Sequence, residues 1–283
     1  MELTAADIAM LLPKRDENAH KGNFGRILLL CGSLGYTGAA YFAAMGALRT
    51  GAGLVYLGVP ESIYAIEAGK LNEPVIFPLP DQGGRLDKSA IPEILERLPR
   101  MDAVLIGPGL GPGLGLGTGP EAVLTAVLTH AACPVVIDAD GITLLVRHMD
   151  ILRGRMAPTV LTPHDGEFAR LFGPVGEDRM ASARAAALDS RSIVLLKGHR
   201  TCITDGTRDY RNTTGNPGMA TGGSGDVLAG ILASLLGQGL EPLEAAACAA
   251  WLHGKAGDLC AEDLGEYGML PTDLLGYLPR LLK

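Results

Sequence analysis

Residues 215–230, GNPGMATGGSGDVLAG, bring together the residue types that phosphoryl chemistry uses. Glycines at 215, 218, 222, 223 and 225 lead to an acid, Asp226, and then to an apolar run that continues to Leu236. A glycine cluster opening onto a helix gathers backbone N–H groups that lack partners inside the first turn, and the helix dipole adds partial positive charge there. Glycines also allow positive φ and close approach of a ligand, as in an anion-binding nest. The expected guest is a phosphate. Asp226 is out of character, because a carboxylate is repelled by the anion it would face. Two readings of it stand side by side. One is a general base that takes the proton of a hydroxyl attacking phosphorus; the other is a helix cap with no chemical duty.

The elements that must position this stretch are legible from apolar blocks. Residues 26–31, 54–59, 103–106, 135–137, 160–161 and 193–196 are continuous apolar runs, which implies strands buried on both faces, as at the parallel centre of an α/β sheet. Helical patterns at 39–50, 88–98, 121–130, 167–171 and 180–190 lie between them. This alternation predicts a parallel sheet with helices on both sides. After Lys197 the pattern changes to a hairpin, 201–204 and 209–212 around Asp205-Gly206, and then to helices at 226–236, 242–258 and 271–282. No linker or tandem repeat interrupts 1–283, so a single domain is expected.

In an open parallel sheet, ligands bind beyond the carboxyl ends of the strands. Gly32-Ser33 and residues 35–38 follow the first predicted strand, and GPGLG (107–111) follows the third. Asp138-Ala139-Asp140, the run 162–167 (TPHDGE) and the run 197–201 (KGHRT) follow the next three. Five strand ends feeding one edge make that edge the expected site.

Asp138, Asp140 and Glu167 are oxygen ligands at neighbouring strand ends, a set suited to Mg²⁺ that keeps several waters and also takes a nucleotide phosphate. Asp140 and Asp165 read well as helix caps, which puts metal duty mainly on Glu167. His164 reads equally as a substrate contact or a structural histidine, and His20 and His253 read as structural. Lys197 and Thr201 flank a turn where both would face a phosphate, although an isolated KGxxT is more often an exposed turn. No GxxxxGK[ST] sequence occurs, and GSLGYTG does not meet the GxGxxG pattern. A P-loop protein and a hydride-transferring Rossmann enzyme are therefore disfavoured.

Composition narrows the class further. With 283 residues, 47% of them hydrophobic, the chain can bury a sizeable core. A net charge of −7 argues against a nucleic-acid surface. Cysteines 31, 133, 202, 248 and 260 form no CxxC pair, so neither zinc nor a disulfide framework is indicated, and a cytoplasmic protein with reduced thiols is expected. The uncharged runs 27–48 and 103–120 are glycine-broken and read as strand plus loop rather than as membrane spans.

Taken together, KGNFGRILLLCGS, TGAAYFAAMGALRTGAG, GPGLG, VVIDAD, LTPHDGE, KGHRT, NTTGNPGMATGGSGDVLAG and LHG, in this order, resemble the ADP/ATP-dependent NAD(P)H-hydrate dehydratases of the ribokinase-like superfamily. The resemblance covers nearly the whole chain. It implies a ribokinase-like three-layer αβα sandwich with a mostly parallel central sheet and no separate lid domain. It also implies a repair reaction on the S-epimer of hydrated NADH or NADPH. The ring hydroxyl is phosphorylated from ADP, or from ATP, and phosphate is then expelled.

By resemblance, the hydrate touches Ala39 or Ala40, Gly109 or Gly111, His164 and Asp226, with Asp226 as the base. The nucleotide phosphate lies against Lys197, Gly198, His199, Arg200 and Thr201 and against Gly225, and the amides around Gly223 and Gly225 stabilise the transferred group. Glu167 holds Mg²⁺ through water. Relatives of this kind form homotetramers, and many carry a fused epimerase domain that these residues lack, so a separate epimerase is expected to act alongside. The glycine-rich run 107–119 and Asp165, where many relatives have proline, depart from the pattern. A hydroxyethylthiazole-type kinase and a nucleotide sensor without turnover are the competing readings. Arg200 and Arg211 are loose candidates for contact with a 2′-phosphate.

Overall fold

The computed structural model describes residues 1–111 and 118–282. Among these, the strands are β1 (Arg26–Leu30), β2 (Leu54–Pro60), β3 (Val75–Leu79), β4 (Asp81–Gln82), β5 (Arg85–Leu86), β6 (Ala103–Ile106), β7 (Val135–Ile137), β8 (Thr159–Leu161), β9 (Ile193–Leu196), β10 (Cys202–Thr204) and β11 (Asp209–Arg211). The main sheet has the order β11-β10-β9-β8-β7-β6-β1-β2-β3, and β4–β5 form a separate short hairpin. From β3 across to β9 every pairing is parallel, while β10 and β11 run antiparallel at one edge.

Period-two alternation sends opposite sides of each strand into two cores. Ile27, Leu29 and Cys31 of the first strand segment pack on one face with α2 (Thr37–Arg49), α10 (Ser224–Gly237), α11 (Pro242–Leu264) and α12 (Pro271–Leu281). Leu28 and Leu30 pack on the other with α4 (Ile91–Arg97), α5 (Gly119–His130) and α6 (Asp140–Leu145). A third, smaller core joins α8 (Asp165–Phe172) and α9 (Arg179–Ser190) to β9 and β10. The result is a helix–sheet–helix sandwich, as expected. The remaining helices are α1 (Ala5–Leu11), α3 (Glu61–Lys70) and α7 (Met149–Gly154). No helix among the described residues is long and apolar enough to cross a membrane.

The six predicted strands and the hairpin are present, with β10 starting at Cys202 rather than 201. β3 escapes the sequence reading because its VIFPL contains Pro78 and it pairs on one side only, the edge location proline tolerates. The predicted helix 88–98 is broken into a 3-10 turn at Lys88–Ala90, α4, and a second 3-10 turn at Leu98–Arg100, with prolines at the starts of the last two. Of the glycine-rich run 107–119, residues 112–117 lie outside the described set.

Helices α2 and α10 touch backbone to backbone. A Cβ on Gly230 would stand 2.1 Å from Ala43 O, and one on Gly46 would stand 2.5 Å from Val227 O. Gly230→Ala is therefore expected to destabilise the fold by about 1–3 kcal/mol through overpacking. Gly276→Ala, in α12 where a Cβ meets nothing within 4 Å, is expected instead to stabilise by up to about 1 kcal/mol through helix propensity. Urea midpoints of the two variants check this; equal shifts in the same direction would refute the contact argument.

Candidate active site

The strand order reverses between β1 and β6, so their carboxyl ends leave a crevice, the usual location of a site in such sheets. The two loops are stitched by Gly32 N–H donating to Pro108 O at 2.8 Å. Gly109 (φ +64) must be glycine: a Cβ there would lie 2.7 Å from Ala39 Cβ. Gly111 donates its N–H to Asp140 Oδ2 at 3.0 Å. The fold thus brings Ala39, Gly109 and Gly111 together. Ala40 is fully buried beneath them, against Gly32.

Lys197, just beyond β9, turns its ammonium inward. It donates to Asp138 Oδ1 at 2.7 Å and lies 3.7 Å from Glu167 Oε2. A Cβ on Gly225 would be 3.6 Å from the same Nζ, so this cation reaches the first turn of α10. Asp138 is 1% exposed and also accepts from Thr162 Oγ1 at 2.7 Å. Burial works against the Lys197 charge, but Asp138 and then Glu167 outweigh it and hold its pKa above the ordinary lysine value. Arg179 braces this corner by donating to Lys197 O at 2.9 Å and to Asp165 Oδ2 at 2.8 Å. Gly198, His199 and Arg200 face outward, with Arg200 at φ +58, and Thr201 Oγ1 donates to Gly198 O.

The capping roles differ from the sequence reading. Asp140 and Asp165 are not N-caps: each sits one residue inside its helix, behind Ala139 and His164 respectively. His164 caps α8 by accepting the N–H groups of Gly166 and Glu167 at Nδ1 (3.0 and 3.3 Å), and Glu167 Oε2 accepts the His164 N–H at 2.8 Å. Glu167 is therefore half of a capping box. The geometry assigns Nδ1 as acceptor, which leaves the proton on Nε2 of an imidazole whose side chain is 56% exposed. His20 caps the 3-10 turn Lys21–Phe24, and the half-buried His253 meets Ser224 Oγ at 3.1 Å. Burial pushes the His253 pKa down to about 4, so it is neutral.

Asp226 sits in the first turn of α10, whose N-cap, Gly223 (φ +97), provides no side-chain cap. It is half-buried, and its pKa is pushed up to about 7, first by burial and then by Asp138, with Lys197 opposing and Asp140 and Glu167 adding. The helix dipole favours a charged carboxylate here by about 0.3–1 kcal/mol, whereas a shift of three pKa units corresponds to roughly 4 kcal/mol. Burial and the neighbouring acids win. Asp226 also lies close enough to Cys31, at the end of β1, to help raise that thiol's pKa, after burial as the main cause. The carboxyl is thus at the strand ends, not out in solvent.

Sequence reasoning missed Arg179 and the Thr162–Asp138 contact, because each acts through a partner distant in the chain. Arg211 lies on the edge strand β11, away from the crevice. The KGNFG motif is at the opposite, amino end of the sheet, where a Cβ on Gly25 would be 2.4 Å from Gly237 O. Its work is packing. For a divalent cation, no group of three or more His, Cys, Asp or Glu side chains among the described residues forms a cage. Asp138 and Glu167, both against Lys197, are hard oxygen donors of the kind that hold Mg²⁺ through water.

A family model described as NAD(P)H-hydrate dehydratase matches residues 27–280. The bifunctional NAD(P)H-hydrate repair enzyme of Moorella thermoacetica is 45% identical over 99% of this chain but 53% of its own length. The chain spans about half the length of the first curated relatives it matches. The ADP-dependent (S)-NAD(P)H-hydrate dehydratase of Listeria monocytogenes is 32% identical over 100% of this chain and 96% of its own. Among solved structures, the ADP/ATP-dependent NAD(P)H-hydrate dehydratase of Bacillus subtilis, crystallised with ATP and Mg²⁺, superposes with a TM-score of 0.83 at 29% identity, covering 99% of this chain and 96% of that one. The strand-end crevice, the glycine turn before Asp226 and these likenesses agree: the chain belongs to the NAD(P)H-hydrate dehydratase family, on the ribokinase-like fold.

Proposed function

We propose that the protein dehydrates the S-epimer of hydrated NADH or NADPH, using ADP, or ATP in its place, as phosphoryl donor. The observation that carries this reading is Asp226. It is a half-buried carboxyl with a pKa of about 7, set in a glycine turn beside the half-buried Lys197, in a chain of this family. A hydroxyl on the substrate ring attacks the terminal phosphorus of ADP while Asp226 takes its proton, and the bond to the AMP oxygen breaks. The ring nitrogen's lone pair then assists departure of phosphate from the ring carbon. Loss of a proton from the adjacent carbon restores the double bond.

The Gly223–Gly225 amides and Lys197 stabilise charge on the transferred group, and the outward turn Gly198–Thr201 carries the adenosine side of the donor. Ala39, Gly109, Gly111 and the His164 Nε2–H line the hydrate's side. Mg²⁺, held through water by Glu167 with Asp138 and Asp140 nearby, would neutralise phosphate charge. The five free cysteines support a reducing, cytoplasmic setting. A single domain and a homotetramer complete the proposal.

The test is recovery of 340-nm absorbance from NADH hydrate with Mg²⁺ and ADP, with AMP and phosphate released. Because the base must be ionised, kcat/KM is expected to rise with pH through about 7 and then level off. No recovery with either ADP or ATP would sink the proposal. Accumulation of a stable phosphorylated alcohol would identify a kinase instead.

A further inference from the structure

The short hairpin β4–β5 is fixed against the substrate side of the crevice. Leu34 N–H donates to Gly84 O at 2.8 Å, and Asp81 accepts from Ser62 N–H at 2.7 Å and from Gly84 N–H at 3.2 Å. Gly84 is buried at φ +75, and Leu86 is 1% exposed. Arg85, between them, is therefore held by rigid neighbours. Its Cδ and Cγ lie 2.9 and 3.0 Å from where a Cβ on Gly111 would stand, and Ser33 Oγ lies 2.9 Å from the same point. Ser33 is fully buried, and its hydroxyl has no hydrogen-bond partner. An arginine and an unsatisfied hydroxyl thus meet at Gly111, two residues beyond Gly109, which faces Ala39.

We infer that Arg85, backed by Ser33, is the contact for a phosphate of the hydrated dinucleotide where it passes Gly111. This rests on the proposed substrate. A guanidinium presents a planar fork of donors matched to phosphate oxygens, and Arg85 meets Gly111 two residues beyond Gly109, which faces Ala39 on the proposed hydrate side. The source is either the pyrophosphate bridge, common to both hydrates, or the 2′-phosphate of the NADPH form. Arg211, on the edge strand β11, is not placed to do this.

The experiment compares wild type, Arg85→Gln, Arg85→Lys and Ser33→Ala in two measurements. The first is steady-state turnover of NADH hydrate and NADPH hydrate with ADP. The second is equilibrium binding of NADH and NADPH, read by their own fluorescence, which needs no turnover. Arg85→Gln is expected to raise the hydrate KM and weaken dinucleotide binding by roughly ten- to hundredfold, with kcat and the KM for ADP within about twofold of wild type. Arg85→Lys should recover part of the loss, and Ser33→Ala should show a smaller one. Equal losses for both dinucleotides identify the pyrophosphate; a loss confined to the NADPH series identifies the 2′-phosphate. Unchanged dinucleotide binding in Arg85→Gln, or a fall in kcat alone, would overturn the inference. Failure of wild type to turn over either hydrate refutes the proposed activity instead, and the binding series still decides the role of Arg85.

Discussion

Asp226→Asn is expected to lose about 100- to 10,000-fold in kcat, to keep its ADP affinity, and to melt at a higher temperature than the parent above pH 7. The last part follows from linkage. Folding raises the Asp226 pKa from 3.8 to about 7, so the folded state favours the protonated carboxyl. That contribution to stability is fully present below about pH 4 and is lost as pH rises through 7. Above this window the ionised carboxylate costs at most about 4 kcal/mol. Solvent access at this half-buried position reduces the figure. Asparagine cannot ionise and escapes the cost, so the gain in melting temperature should widen steadily from pH 4 to pH 8. Isothermal titration with ADP, a pH series of melts and single-turnover rates check the three parts. Near-normal turnover would return Asp226 to a merely structural role; a variant less stable at every pH would show that burial and the acid cluster do not strain this group.

Lys197→Met should be damaging for the opposite reason. The ammonium lies 2.7 Å from Asp138 and 3.7 Å from Glu167, both almost fully buried. Its raised pKa keeps it charged across the neutral range, and its contribution is lost only as pH climbs above the ordinary lysine range. Removing one partner of a buried charged group typically costs about 3–5 kcal/mol, because the other charges are left uncompensated. Lys197 also opposes the rise of the Asp226 pKa, so the alkaline-going limb of the pH–rate profile should move above 7 in whatever activity remains. A Lys197→Met protein that melts like wild type at pH 8, with an unmoved limb, would contradict this account of the cluster.

How much of this was legible beforehand depended on the range of the forces involved. Blocks such as 26–31 and 103–106 announce themselves because both faces of the strand are buried, a condition written in consecutive residues. β3 does not, since Pro78 argues against a strand unless one knows that it lies at an edge. The glycine turn and Asp226 were visible as a local motif. The choice between base and cap was not, because it turns on burial and on Asp138, 88 positions earlier in the sequence. The caps were misplaced by one residue: composition favours aspartate, but backbone geometry chose His164 and Ala139 (φ +51). Arg85 gave no local signal at all, since its strand is two residues long and its neighbour Gly111 belongs to another loop.

The glycine seam between α2 and α10 also sets a distance in the chemistry. One helix begins beside Ala39 and the alcohol it is proposed to seat; the other begins at the proposed phosphate cradle. On that proposal their separation is the gauge between nucleophile and electrophile, and in-line transfer tolerates little slack beyond about 3–3.5 Å. A single methyl inserted at position 230 would act as a shim, slowing turnover from a place that no ligand ever touches.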